Sequence, residues 1–226
     1  MVVLVIAAHP DDEVYGMGGT IAKLTEKGNE VHVLIVTDGS TTQYKDKPEV
    51  GKIIDEKKKE ALHANKVLGV KKVHFGELPD MRLNETAHVE VNCIIEKVIK
   101  DIKPEVVYTH FYGDVNLDHQ CVYKSTLVAV RPLPGQSVKE LYCYRVPSST
   151  EWSPQTNLTT FMPNVFIDIS KYCSRKYQAA KRYKTEIRPY PHPRSVEYVK
   201  KQDYAAGMKY GIGPVEEFLL LRKIVM

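Results

Sequence analysis

An unbroken apolar run near the N-terminus is followed directly by one imidazole and three carboxylates. The run spans residues 2–8 (VVLVIAA), and its short length and β-branched content predict a buried strand. The polar segment that follows reads His9-Pro10-Asp11-Asp12-Glu13. Ligands of open α/β sheets bind outside the carboxyl ends of the strands. Because adjacent carboxylates repel one another, we expect a positive group in this loop, such as a divalent cation.

Predicted strands and helices alternate along the first part of the chain. A helix over 18–27 ends at Gly28, and a second strand covers 30–37, which completes a βαβ unit with a right-handed crossover. The pattern continues with helices over 52–68, 86–102 and 117–130, and strands over 70–75 and 105–109. It predicts an α/β fold, a Rossmann-like doubly wound and mostly parallel sheet with helices on both faces.

The rest of the chain is less regular but contains no clear linker. Strands are predicted over 141–146, 164–169 and 217–224, and helices over 195–208 and 170–185, the latter with Ser170 as N-cap. We therefore expect one domain over 1–226. Residues 1–130 would form the βα core with both histidine-containing loops, and residues 131–226 would complete the pocket.

Composition excludes several classes of protein. The 32 basic and 28 acidic residues nearly cancel, so no nucleic-acid surface is expected. The N-terminal apolar run is too short for a signal peptide or a membrane span. Four widely spaced cysteines, without a C-x-x-C pair, indicate reduced thiols. These features together predict a cytoplasmic protein without a membrane span.

A second polar cluster also follows a predicted strand. It contains His110, Asp114, Asn116, Asp118 and His119. Because both clusters leave the carboxyl ends of parallel strands, they should open on the same edge of the sheet.

Together the two loops offer a three-ligand site made of His9, Asp12 and His119. Two imidazoles and one carboxylate leave an open position for water, as in catalytic zinc sites. Zinc is the expected cofactor, one ion per chain, although ligand type alone leaves another divalent metal open.

Neighbouring carboxylates suggest further roles. Asp11 and Asp12 are adjacent, so one can bind the metal while the other accepts a proton from the nucleophilic water. Glu13 and Asp118 are predicted to orient the imidazoles. Asp114 would either do the same or cap the following helix.

At these residues the chain resembles the PIG-L (LmbE-like) zinc-dependent N-deacetylases. The family signature is an A-H-P-D-D-E loop after the first strand, here residues 8–13, with a second histidine ending a later loop, here His119 after Asp118. Weaker similarities lie at residues 16–20, 37–39, 60–61, 68–69, 78–80, 192–195 and 217–218.

The resemblance implies that His9, Asp12 and His119 bind zinc and that Asp11 is the general base. It implies a hydrolase that removes an acetyl group from an N-acetylated sugar or glycoconjugate, and it makes a homo-oligomer unsurprising. Many members have a histidine, which helps to hold the oxyanion, at the position of Asn116.

Because asparagine replaces histidine at position 116, several residues are candidates for the donor that stabilises the oxyanion. An asparagine amide can donate to an oxyanion but cannot supply a proton as an acid. The other candidates are His110, Tyr112 and His192.

Four residues are candidates for substrate binding. Lys57 stands where many members have arginine, and a point charge would contact a substrate anion differently. Asp80 and Arg82 either bind sugar hydroxyls or form a turn with a surface arginine. Trp152 is the best candidate for stacking on a sugar face.

Two other functions remain to be weighed. The chain could be a non-catalytic, metal-binding member of the family that acts as an interaction protein, although the second aspartate, Asp11, argues against this. Alternatively, the glycines at 16, 18 and 19 could indicate a nucleotide-binding Rossmann domain. The spacing of these glycines departs from G-x-G-x-x-G, because position 21 is isoleucine.

Overall fold

One seven-stranded sheet forms the centre of the computed structural model, which describes residues 1–225. The strands are β1 (Val2–Ala7), β2 (Glu30–Thr37), β3 (Lys72–Leu78), β4 (Val106–His110), β5 (Glu140–Tyr144), β6 (Val165–Asp168) and β7 (Val215–Lys223). Their order is β3-β2-β1-β4-β5-β7-β6. The first five strands are parallel, and β7 runs antiparallel to both of its neighbours. The predicted doubly wound, mostly parallel sheet is confirmed.

Within the described residues, six α-helices cover both faces of this sheet. They are α1 (Asp12–Glu26), α2 (Val50–Leu68), α3 (His88–Ile102), α4 (Leu117–Ala129), α5 (Cys173–Ala180) and α6 (Val196–Met208). Helices α3 and α4 pack together on one face, and α1, α2 and α5 pack together on the other.

The alternation of side chains along β1 explains its continuous apolar sequence. Val3 and Val5 point to the core under α1, α2 and α5, whereas Leu4 and Ile6 point to the core under α3 and α4. A central strand covered on both faces needs apolar residues at every position.

The topology creates a crevice between β1 and β4. The chain runs outward from β1 through β2 to β3 and then returns to place β4 on the other side of β1. This is the switch point at which doubly wound sheets bind ligands, outside the carboxyl ends of the two strands. The segment after β1 and the segment after β4 therefore meet there.

Helix α1 corrects the predicted start of the first helix. It begins at Asp12 rather than at Gly18, and Met17 interrupts it with non-helical angles (φ −152°, ψ 26°). The main-chain amides of Gly19 and Thr20, freed by this break, donate to the Glu216 carboxylate at 2.9 and 2.6 Å. Asp12 and Glu13 are thus helical residues, not loop residues.

The predicted helix over 170–185 is also shorter in the structure. Helix α5 begins at Cys173, and its N-cap is Tyr172, so the prediction that Ser170 is the N-cap is wrong. The Ser170 amide instead donates to Asp168 at 2.8 Å, which holds Ser170 in the turn that follows β6.

Composition predicts reduced cysteines and no membrane span. Within residues 1–225, no helix combines the length and apolar character that crossing a membrane requires. The four cysteines are all free thiols.

Candidate active site

His9, Asp12 and His119 meet at the crevice between β1 and β4. His9 Nδ1 lies 3.2 Å from His119 Nε2, and Asp12 Oδ2 lies 3.4 Å from each of these nitrogens. In a tetrahedral site with bonds of about 2.0–2.1 Å, two ligand atoms lie about 3.3–3.4 Å apart. The three side chains therefore fit a single divalent metal ion without rearrangement.

A carboxylate holds the outer nitrogen of each histidine. Asp118 Oδ2 lies 3.0 Å from His9 Nε2, and Asp114 Oδ2 lies 3.1 Å from His119 Nδ1. Such contacts select the tautomer whose other nitrogen is free for a metal. Asp118 and Asp114 thus lie where the sequence suggested, and Asp118 is the residue that contacts His9.

Backbone and hydroxyl donors fix these two carboxylates in turn. Asp118 accepts hydrogen bonds from the amides of Met81 (2.8 Å) and Leu83 (3.0 Å). Asp114 accepts from the hydroxyls of Ser149 and Thr150. Although burial opposes ionisation, the contacts with His119, Ser149 and Thr150 lower the pKa of Asp114 to about 2.

The carboxylates also govern protonation of the candidate ligands. Burial opposes the charged imidazole, yet Asp12 and Asp114 raise the pKa of His119 to about 9. The pKa of His9 is likewise raised, by Asp118 and Asp12 against the effect of burial. A proton and a metal ion therefore compete for the same nitrogens.

His9, Asp12 and His119 form what we call the ligand triangle. Asp11 lies beside it in an unusual backbone conformation. Its φ of 118° and ψ of −28° are rarely adopted by residues other than glycine, and its carboxyl group is buried. Burial raises the pKa of Asp11, and the nearby Arg194 acts in the opposite direction. Asp11 Oδ2 has no hydrogen-bond partner.

A narrow cleft opens above these residues. It is lined by His9, Pro10, Asp11, Gly39, Gln43, Lys57, Asp80, Met81, Asn116, Glu186 and Arg194. The cleft thus combines residues from both halves of the chain.

Glu13 does not orient the imidazoles, and this prediction is wrong. Its carboxylate accepts from Asn65 Nδ2 (2.7 Å), the Tyr183 hydroxyl (2.5 Å) and the amide of Asp11 (3.2 Å). Because Glu13 is helical, its side chain points away from the ligand triangle and instead holds the main chain of Asp11.

His110 lies beneath the cleft rather than in it. It is fully buried, and its Nε2 accepts a hydrogen bond from the Ala8 amide at 2.8 Å. Burial and the neighbouring His119 lower the pKa of His110 to about 4, so the ring is neutral at pH 7. With Nε2 used as an acceptor, His110 is poorly placed to stabilise an oxyanion.

Asn116 lines the cleft and caps α4. Its Oδ1 accepts from the Asp118 amide at 2.9 Å, which directs the side-chain NH2 group the other way. That group lies 4.0 Å from the Met81 sulfur. Asn116 can therefore donate to a group in the cleft.

The remaining candidates differ in position. His192 lies beyond the cleft lining; its Nδ1 accepts from the Arg194 amide (3.0 Å), and Trp152 packs edge-on at 6.3 Å. Trp152 is 57% exposed. Arg82 is paired at the surface with Glu85 and does not line the cleft.

The other two candidates for substrate binding do line the cleft. Lys57 is buried, and its ammonium lies 2.7 Å from Glu186 and also donates to the Gly39 carbonyl. Asp80 Oδ1 lies 3.5 Å from His9 Nε2, whereas its Oδ2 has no hydrogen-bond partner.

Two residues of the cleft were missed as functional candidates. Arg194 belongs to the 192–195 segment noted above, where the sequence predicts no role for it. Glu186 follows α5 and carries no local signal, because only folding brings it to Lys57 and Arg194.

The glycines after β1 serve packing rather than nucleotide binding. A Cβ on Gly16 would lie 2.4 Å from the Tyr144 ring, and one on Gly19 would lie 2.7 Å from Ile169. The amides that a pyrophosphate would require already donate to Glu216.

Comparisons with known proteins show which proteins this chain resembles. The chain is 31% identical over 192 residues to the uncharacterized deacetylase YaiS of Escherichia coli, covering 81% of this chain and 90% of that protein. It is 28% identical to diacetylchitobiose deacetylase of Thermococcus kodakarensis, covering 92% and 82%. A structure of N,N'-diacetylchitobiose deacetylase from Pyrococcus horikoshii has the same fold (TM-score 0.77, 24% identity, 98% and 84% covered).

Related sequences do not all share one reaction. The 4-oxalmesaconate hydratase of Pseudomonas putida is 26% identical over 78% of this chain and 70% of that protein. The model of the family described as GlcNAc-PI de-N-acetylase matches residues 4–130, which is more than half of the chain and includes both histidine loops. This protein therefore belongs to the PIG-L family.

Proposed function

We propose that this protein is a zinc-dependent hydrolase that removes the N-acetyl group of an amino sugar or sugar conjugate and releases acetate. The observation that carries the proposal is the ligand triangle of His9, Asp12 and His119. Beside it lies a carboxylate oxygen of Asp11 that has no hydrogen-bond partner. The deacetylases among the relatives support it.

The ligand set suits zinc. Two imidazole nitrogens and one carboxylate oxygen are ordinary zinc ligands and leave one position open, although the same donors accept other divalent ions. When bound, zinc would polarise the acetyl carbonyl and lower the pKa of a water molecule.

Asp11 would transfer the proton. Its Oδ2 accepts a proton from the attacking water as the new C–O bond forms, and the protonated carboxyl then donates to the nitrogen as the C–N bond breaks. The products are acetate and the free amine. The positive charge of Arg194, 3.7 Å from Asp11 Oδ2, favours the ionised form that this role needs.

Asn116 is our first choice for the oxyanion donor. Asn116 lines the cleft, its NH2 group lies 4.0 Å from the sulfur of Met81, another lining residue, and its orientation is fixed by the capping bond to Asp118. His192 is the second choice, because its Nδ1 is an acceptor and its Nε2 therefore carries the proton in the neutral ring. His110 is disfavoured because it is buried beneath the cleft and its Nε2 accepts from the Ala8 amide.

Sugar recognition would involve the cleft walls. Asp80, in the cleft wall, offers an unpaired oxygen to a hydroxyl group, and exposed Trp152, beyond the cleft lining, offers a ring face. Lys57 acts less directly, because Glu186 already neutralises its charge. Arg82 would have to leave Glu85 to reach a ligand.

Metal analysis and a substrate panel test this function. We expect about one zinc per chain in purified protein, and release of acetate from one or more N-acetylglucosamine derivatives. A hydroxamate, which chelates zinc, should inhibit at millimolar concentration or below. Metal binding without turnover of any N-acetylated compound would favour the interaction-protein alternative, and hydration of an unsaturated acid without acetate release would favour hydratase chemistry.

Two further predictions extend this proposal. A cytoplasmic location and assembly into a homo-oligomer both stay predictions. Fractionation of the native cells and light scattering of the purified protein would check them.

A further inference from the structure

Carboxyl groups and cationic side chains alternate along one wall of the cleft. Asp11 Oδ2 lies 3.7 Å from Arg194 Nη1, and the same Nη1 lies 2.7 Å from Glu186 Oε2. The other oxygen of Glu186 lies 2.7 Å from the ammonium of Lys57. Glu186 therefore joins two cations, one of which faces Asp11.

The guanidinium of Arg194 is held at two points away from Asp11. Glu186 binds Nη1, and the Ser148 hydroxyl accepts from Nε at 2.9 Å. Both contacts are hydrogen bonds, whereas the approach to Asp11 is longer than a hydrogen bond. As a result, the positive charge of Arg194 stabilises an ionised Asp11, but Asp11 Oδ2 remains without a hydrogen-bond partner.

We propose that Glu186 is a positioning residue that keeps Arg194 from forming a direct hydrogen-bonded pair with Asp11. This inference rests on the proposed function, in which Asp11 accepts a proton. An arginine bound directly to that carboxylate would occupy the oxygen that has to reach the water. Held at 3.7 Å, the same arginine neutralises the site without blocking it.

The surroundings of Glu186 fit this role. The residue is buried, and although burial acts in the opposite direction, Lys57 lowers its pKa and thereby keeps it ionised. If Glu186 lost its charge, the nearest anion left to the guanidinium would be Asp11. A partly buried cation without a partner is costly, so the guanidinium would move to that carboxylate.

The first test is the kinetics of Glu186→Gln. We expect kcat to fall by about tenfold or more, whereas KM and metal content change little. This loss is smaller than the roughly 10²–10⁴-fold rate enhancement that a general base contributes. Glu77→Gln is the matched control, because Glu77 pairs with Lys58, next to Lys57 on α2, but lies at the surface. That variant should keep the activity of the wild type.

A double-mutant cycle with Arg194→Met separates positioning from general structural damage. If Glu186 acts by restraining Arg194, Glu186→Gln should cost less than about threefold in kcat when the guanidinium is absent. An equal loss in both backgrounds, or no loss from Glu186→Gln alone, overturns the proposal. Should Glu186→Gln fail to fold, Ser148→Ala releases the second tether and should lower kcat in the same direction by a smaller factor.

A crystal structure of Glu186→Gln provides a readout that does not depend on activity. The proposal requires a hydrogen bond between Arg194 and Asp11 Oδ2 in the variant, and an unchanged separation overturns it. If the wild-type protein deacetylates nothing in the panel, the proposed function fails, and this structure still decides whether Glu186 restrains Arg194.

Discussion

Asp118 Oδ2 lies 3.0 Å from Nε2 of His9, the ring nitrogen opposite the one that faces the candidate metal position. The contact favours a proton on Nε2 and leaves the Nδ1 lone pair for a metal ion. Asp114 has the same relation to His119 with the two nitrogens exchanged, since it contacts Nδ1 and leaves Nε2 free. Each imidazole is therefore held in the orientation that a metal requires, and the proton that a metal displaces is the one on the nitrogen facing the metal position.

Metal affinity should depend on these two carboxylates. We expect Asp118→Asn and Asp114→Asn each to weaken zinc binding by about 10–100-fold, because the amide loses the charge that orients and polarises the ring. Competition with a chromophoric chelator would measure the change. Asp55→Asn, at an exposed position of α2, serves as control and should bind zinc like the wild type.

Asp11→Asn should separate metal binding from catalysis. The amide fills the same space but cannot accept a proton, so we expect kcat to fall by about 10²–10⁴ while the zinc content stays near that of the wild type. His9→Ala should instead lose the metal. Near-normal turnover by Asp11→Asn would show that another group is the base.

Asn116 offers a matched pair of substitutions. Asn116→Asp keeps the oxygen that caps α4 but removes the NH2 group, so kcat should fall by about 10²–10³ with little change in stability. Asn116→Ala loses both groups, and unfolding should require about 1 kcal/mol less free energy as well. If the kcat of Asn116→Asp stays within about twofold of the wild type, the oxyanion donor lies elsewhere, and His192 would be examined next.

Two glycine-to-alanine substitutions in helices should act in opposite directions. Gly16→Ala places a Cβ 2.4 Å from the Tyr144 ring, so we expect the free energy of unfolding to fall by about 1–3 kcal/mol. Gly51→Ala, in α2, has open space around the new Cβ and should raise that free energy by up to about 1 kcal/mol. Urea unfolding of the two variants beside the wild type measures both effects.

The stability of the protein should decrease in mild acid because of His74. Burial, together with His32 and Lys72, lowers the pKa of His74 to about 4. A histidine with a folded-state pKa below its unfolded value of about 6.5 contributes stability above that pH and loses it as the pH falls through about 4. His74→Gln should therefore lose less stability than the wild type between about pH 7 and pH 5.

Urea midpoints at the two pH values measure this difference. His63→Gln is the control for replacing an imidazole by an amide, because His63 is exposed on α2. An identical pH dependence in His74→Gln and the wild type would contradict the assignment.

The arrangement of the ligands could be predicted because it follows from local sequence and simple topology. Residues 2–8 are apolar at every position, which requires a central strand, and His9 and Asp12 come directly after it. His119 comes after β4, which is also a buried strand, and parallel strands present their carboxyl ends at one edge. These regularities were sufficient to place the three side chains around one position.

The start of α1 shows the limits of local signals. The helical spacing predicts a helix that starts at Gly18, but tertiary contacts through Glu216 and Ile169 allow the chain to be helical on both sides of Met17. That earlier start is what turns Glu13 away from the imidazoles.

The sequence by itself therefore determined the mostly parallel sheet, the edge at which the two loops open and the identity of the candidate ligands, since each depends on short-range periodicity and on where a strand ends. Only the tertiary structure decided the surroundings of Asp11. Glu186 and Arg194 lie more than 170 residues away along the chain, in an irregular segment without periodicity. Their positions result from packing and from the pairing of buried charges, which no local pattern encodes.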